Sequence, residues 1–450
     1  MRPLVNSVNA YISARFCARF AALRTEHKQI AWGMLVVSTF ILLAKLIATF
    51  KEATIAWRFG ISEAVDAYLL VFNLTRYPVM VWSSSIVAVL VPYMARLRTE
   101  SQQHLSQFRS ELLGGTILLA VGLGLVCQLL LPFSLRQPWV GLTADQARFV
   151  PQMSTPLVGA MCAEFLIWLW SAWTMSGNRH LNSLLEAMPA FIISVSVLCV
   201  DDPASLAWGT LIGFVLQAVL LGWSLARHKE IDPPLFRFTS PYWRAFLSTL
   251  AMMLLGQILI NGSRLVDQLV AARLGPGALS TLGYANRLLN VLLALSATAI
   301  ARAMLPVLSH AYAQGRDGLR HVAYQWAVLM SLVGLAISIA GALLAPAVVQ
   351  LLFERGQFTH EDTTQVTYVV RFALVQIPFY LSSIVLVYAL ISLGWQSAVI
   401  LLGGIGLVVK IGLSLIFVPA LGLGGLMLAT SGVYAVSSLI SGWLIRSRSD

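Results

Sequence analysis

The chain has 450 residues, 58% of them hydrophobic and 11% charged, with a mean hydropathy of +0.79. Soluble domains carry roughly 25% charged residues, so the composition excludes a soluble enzyme and describes an all-α polytopic membrane protein whose main solvent is lipid. The net charge of +11 belongs with basic cytoplasmic loops and headgroups, not with nucleic acid.

Residues 1–30 carry Arg2, Arg15, Arg19, Arg24 and Lys28 against a single acid, Glu26, with Val8, Ile12, Phe16, Phe20 and Leu23 at helical spacing. That pattern predicts an uncleaved basic amphipathic helix on the membrane face. Twelve segments then approach the roughly 20 residues that a span requires. They run over 31–50, 65–92, 112–132, 154–175, 183–200, 205–226, 246–270, 280–305, 324–346, 367–392, 398–418 and 421–445. Pro78, Pro189 and Pro378 fall inside spans and predict kinks or breaks. With the N-terminus inside, seventeen loop cations lie on the cytoplasmic face and six, among them Lys51 and Arg58, on the other, so both termini are expected in the cytoplasm.

No loop is long enough for a soluble catalytic domain, and no nucleotide-binding signature occurs. The four cysteines show no metal-ligand spacing. The chain therefore reads as a transporter without cofactor or metal. Residues 228–245 form the longest loop, a cytoplasmic linker between an N-lobe over 31–227 and a C-lobe over 246–446.

The two lobes repeat. Arg58-Phe59-Gly60 aligns with Arg273-Leu274-Gly275 at an offset of 215, Pro92 with Pro306 and Pro132 with Pro346 at 214, and Pro203 with Pro419 at 216. Six spans per lobe keep one orientation, which predicts two parallel-related six-helix lobes about an axis along the membrane normal. The same offsets set Glu52 on Asp267 and Asn73 on Arg287, so two related polar surfaces are expected to face a central cationic cavity.

Charges in spans are costly and mark function. Lys45, Thr49 and Glu52 share one face of the first span, with Lys51 pointing elsewhere. Asp66 and Asn73 share a face of the second, with Arg76 a quarter turn away. Asn261, Arg264 and Gln268 form a stripe in the second lobe with Asp267 beside it, and Arg287 follows one span later. The structural alternative is ion pairing or snorkelling to headgroups. Against it, the cations outnumber the carboxylates, and a surplus of buried cation calls for an anion such as a diphosphate. Glu164, alone in an apolar span, reads either as a coupling site for a proton or cation or as a protonated, packed carboxyl. Arg371 and Lys410 have no evident acidic partner.

The stretch FKEATIAWRFGISEAVDAYLLVFNLTR, with Lys45, Lys51-Glu52, Phe59-Gly60 and Asp66-Ala67 at its fixed points, resembles the N-terminal signature of the MurJ (MviN) lipid II flippases. These belong to the multidrug/oligosaccharidyl-lipid/polysaccharide exporter superfamily. YANRLLN at 284–290 and LFERGQFT at 352–359 are similar to further segments of that family. The resemblance implies flipping of an undecaprenyl-diphosphate-linked glycan, lipid II-like or an exopolysaccharide repeat unit, across the bacterial inner membrane by alternating access. It implies Lys45, Lys51, Glu52, Asp66, Arg76 and Arg287 as the cavity set, and other cell-envelope biosynthesis proteins as partners. Coupling to membrane potential, proton or sodium stays open. Lysine stands at 45 and 51 where the family usually has arginine, and two further C-terminal helices are usual in the family. The competing reading is a small-molecule or drug/cation antiporter of the same superfamily, whose site would favour carboxylates and aromatics.

Overall fold

The computed structural model describes residues 43–447, apart from 101, 136, 138–139, 177–181, 183–184, 229 and 314. The amphipathic segment expected over 1–30 lies outside these residues. Among them there is no strand, and the chain runs through thirteen helices: α1 (43–59), α2 (Glu63–Glu100), α3 (Gln102–Ser134), α4 (Ala144–Ser176), α5 (Met188–Cys199), α6 (Ala204–Arg227), α7 (Trp243–Ala272), α8 (Ala278–Ala313), α9 (Arg316–Phe353), α10 (His360–Leu374), α11 (Gln376–Ser392), α12 (Gln396–Leu421) and α13 (Leu423–Ser447). Since α10 and α11 form one broken span, these make twelve segments. Nine, among the described residues, are long and apolar enough to cross a membrane.

Local chemistry explains the breaks. α1 runs past the expected limit at 50 and stops at Gly60, whose φ of +54° is open to glycine at little cost. A Cβ at Gly60 would also meet the Gln357 carbonyl oxygen at 2.6 Å. The α10–α11 break follows from Pro378, which has no N–H for the carbonyl of Leu374. That carbonyl instead accepts the Ser338 hydroxyl of α9 at 2.7 Å. Pro189, expected inside a span, sits in the first turn of α5, where its missing N–H costs nothing. Pro78 lies within α2, which stays helical through it.

Packing repeats as the sequence offset requires. In the first half α2 and α3 pack on α4, and α4 and α5 on α6; in the second, α8 and α9 pack on α11, and α11 and α12 on α13. Equivalent positions even share exposure: Leu129 on α3 is 74% exposed and Leu343 on α9, its counterpart at offset 214, is 75% exposed. Each faces the hydrocarbon that a soluble protein would have to avoid. The halves meet where α2 crosses α7 and α8.

The expected linker is tied to the first half. Arg109 pairs with Asp232 at 2.8 Å, and Leu235 N–H donates to the Ser110 carbonyl at 3.0 Å. Gly114 is required here, because a Cβ would lie 2.1 Å from the Leu235 oxygen. The buried carboxylate of Glu111 accepts from Thr239 N–H, Ser240 N–H and, at 2.6 Å, the Trp243 indole. It thereby ties the segment leading into α7, and the first side chain of that helix, to α3. Phe246 and Leu250, expected in the second lobe, consequently pack into the core of α2, α3 and α4. Further along, α7 joins the second half, with Gly262 against Leu407 and Ile260 against Gly403 of α12.

Candidate functional site: a charged seam between the halves

Because α1 continues to residue 59, Lys51 and Glu52 belong to a helix and not to a loop on the far face. The structure corrects the expected direction of Lys51: it is buried, and its Nζ lies 2.7 Å from Glu52 Oε1. Arg287 Nε of α8 reaches the same oxygen at 2.8 Å, so one carboxylate holds two cations and bridges the halves. The Arg287 side chain stays 41% exposed.

Arg76, on α2, is 38% exposed and its Nη2 stands 3.5 Å from Glu164 Oε1 of α4. Its guanidinium also rests over Phe72 and Phe214, 5.3 and 6.0 Å from the ring centroids. Nearby, Asn73 donates to Gln268 Oε1 at 2.9 Å and the Tyr77 hydroxyl to the Ile258 carbonyl at 3.0 Å, both across the seam.

Asp66 has a structural role in place of the expected cavity role. Fully buried, it accepts from Gly277 N–H at 2.6 Å, Ser280 N–H at 2.7 Å, the Ser280 hydroxyl at 2.6 Å and Gln146 Nε2 at 3.0 Å. These donors include the start of α8, so Asp66 caps a helix of the opposite half. The same seam is closed by Tyr284, whose hydroxyl donates to the Gly60 carbonyl at 3.1 Å, and by Gln357 N–H on the Trp57 carbonyl at 2.9 Å.

Asp267 is likewise committed. Lys410 of α12, with no exposed surface, places its Nζ 2.5 Å from Asp267 Oδ1. It also donates to the Leu426 carbonyl at 2.8 Å and Thr430 Oγ1 at 2.5 Å. Lys410 therefore has the acidic partner that the sequence did not reveal. Arg264, one turn before Asp267, is exposed, and so is Lys45 on α1; neither makes an ion pair among the described residues. Arg371 donates to the Ala342 carbonyl at 3.2 Å.

Of the nine candidates, then, the structure joins Lys51, Glu52 and Arg287 in one cluster and pairs Arg76 with Glu164. It buries Asp66, holds the partly buried Asp267 on Lys410, and leaves Lys45 and Arg264 open. Gln146, Gln268, Ser280 and Lys410 complete the arrangement. Lys410 carried a usable signal as a lone cation in an apolar helix and Gln268 stood in the polar stripe of the second lobe, whereas Gln146 and Ser280 are ordinary polar residues.

Twelve helical segments, nine of them long and apolar enough to cross a membrane among the described residues, form two related halves that meet at buried charges, which is the plan of a multi-pass membrane protein. The comparisons narrow the class. The family model described as Lipid II flippase MurJ matches residues 55–450, and the chain belongs to that family. It is 29% identical over 241 residues to a probable lipid II flippase MurJ of Bdellovibrio bacteriovorus, covering 53% of this chain and 45% of that protein. To the corresponding protein of Rhizobium meliloti it is 22% identical over 422 residues, covering 89% of this chain and 76% of the other. The fold matches a lipid II flippase MurJ solved in an inward closed conformation, with a TM-score of 0.79, 17% identity and coverage of 92% and 88%. It also matches an inward-facing multidrug resistance MATE family transporter of the MOP superfamily, with a TM-score of 0.71, 14% identity and coverage of 91% and 97%.

Proposed function

We propose that this chain is an inner-membrane flippase for an undecaprenyl-diphosphate-linked glycan, with both termini and residues 228–245 in the cytoplasm. The observation that carries the reading is the pair of half-exposed guanidiniums, Arg76 and Arg287, at the seam. Across the candidate residues and Lys410, six cations (Lys45, Lys51, Arg76, Arg264, Arg287 and Lys410) stand against four carboxylates (Glu52, Asp66, Glu164 and Asp267). A diphosphate supplies the missing negative charge, and its oxygens suit the planar donor fork of arginine. The sugar would share the polar space between the halves while the lipid tail stays in the bilayer. Rocking of the halves would move access from one leaflet to the other.

The antiporter reading needs a free carboxylate for an organic cation. Glu52 and Asp267 are each ion-paired with protein cations, Asp66 accepts four hydrogen bonds and Glu164 faces Arg76, so none of the four stands free, which favours an anionic ligand. The test depletes the protein and follows polyprenyl-linked intermediates by mass spectrometry, with Arg76→Ala and Arg287→Ala as rescue alleles. One lipid-linked glycan should accumulate, its repeat unit should name the substrate, and neither allele should clear it. Clearance by both alleles would remove the cationic seam from the mechanism.

A further inference from the structure

Among the buried carboxylates of the seam, Glu164 is the one with least compensation. Asp66 has four hydrogen-bond donors, Glu52 has two cations within 2.8 Å, and Asp267 has Lys410 at 2.5 Å. Glu164 is only 4% exposed and faces a single cation, Arg76, at 3.5 Å, longer than the 2.7–2.9 Å of a charge-assisted bond. The helices packed on α4 bring little else. α3 has no charged residue between Glu111 and its end at Ser134, and α6 has none before Arg227. Cys127 and Cys162 are the thiols of this region, and Tyr77, beside Arg76, has its hydroxyl committed to Ile258. Asp145 and Arg148 lie at the far end of α4.

Arg76 thus stands between two anions that compete for it. Its fork balances Glu164 in the empty protein, and under the function proposed above it holds the diphosphate in the loaded one. An ionised carboxylate left in an apolar span without its cation is costly, and the cheaper state is the neutral acid. We propose that Glu164 is a proton-binding site linked to substrate: diphosphate draws Arg76 away, and the carboxylate takes up one proton from water reaching the exposed side of Arg76. When the diphosphate leaves, the proton is returned and the Arg76–Glu164 pair re-forms. Linkage makes the effect reciprocal, so a lower pH frees Arg76 and tightens binding.

The test is calorimetric titration of the purified protein in nanodiscs with a short-chain polyprenyl-diphosphate sugar, whose diphosphate diester does not titrate near neutrality. Two buffers of different ionisation enthalpy count protons, and a pH series gives the slope. Wild type should take up protons on binding and gain affinity as pH falls, by at most about tenfold per pH unit for one linked proton. Glu164→Gln, which mimics the neutral acid, should bind at least as tightly with no proton uptake and a flat pH profile. No proton uptake by wild type, or an unchanged slope in Glu164→Gln, overturns the linkage even where binding is strong. The wild-type count decides the matter if that variant does not fold. Absence of binding at every pH removes the diphosphate ligand and this inference with it.

Discussion

Glu52 and Asp267 occupy equivalent places in the two halves, at an offset of 215, yet they are held in opposite ways. Glu52 shares its charge with Lys51 of its own helix and Arg287 of the other half. Asp267 is closed off by Lys410 within the second half, and that ammonium is fully enclosed by Asp267, Leu426 and Thr430. One carboxylate is therefore a contact between the two halves, and the other is held within one of them.

Substitutions at the two places should behave accordingly. The largest effect on stability is expected from Lys410→Met, which strands Asp267 in the interior; breaking a buried pair in this way costs about 3–5 kcal/mol. Adding Asp267→Leu should restore most of that loss, while Lys51→Met should cost less because Arg287 remains on Glu52. Thermal melts in detergent check all three, and equal losses for Lys410→Met and Lys51→Met would erase the contrast between the halves. Next comes the seam itself. Asp66→Asn replaces a carboxylate oxygen with an amide donor among four donors, at a cost of about 1–3 kcal/mol. Its effect should appear as increased labelling of cysteines placed at the Gly60–Tyr284 contact, with little loss of helix content.

The smallest effect is expected outside the spans. The Thr363 hydroxyl donates to Glu354 at 2.7 Å, with His360 nearby, and holds that carboxyl below its usual range. A depressed carboxyl gives stability that is present above its unfolded value and lost as pH falls through its folded one. Thr363→Ala should therefore lower the melting temperature slightly near neutrality and converge with wild type in acid.

The plan of the fold was readable because it repeats. Paired landmarks such as Pro132 and Pro346 fixed the register, and span length fixed the helix number. What stayed hidden was pairing over long distances. Nothing local links Lys410 to Asp267, 143 positions away, or Asp66 to Ser280, 214 away. The first helix was cut short at Lys51 because charge normally marks the edge of a membrane. Here charge marks a seam between protein surfaces, where the bilayer rule does not apply. The role of Glu111 was invisible for a related reason: its partners, Thr239, Ser240 and Trp243, lie in a segment that reads as loop.

The cap formed by Asp66 on Ser280 also bears on how such a chain arose. The two residues are equivalents under the internal repeat, so a homodimeric ancestor of identical halves would have set this position against its own copy across the dyad, as in any isologous contact. Two aspartates there would oppose two carboxylates in a buried site, and two serines would leave α8 without its anionic cap. The present hydrogen bonds need an acceptor on one half and a donor on the other. Ser280→Asp would set two carboxylates against each other in this buried site and should loosen the seam.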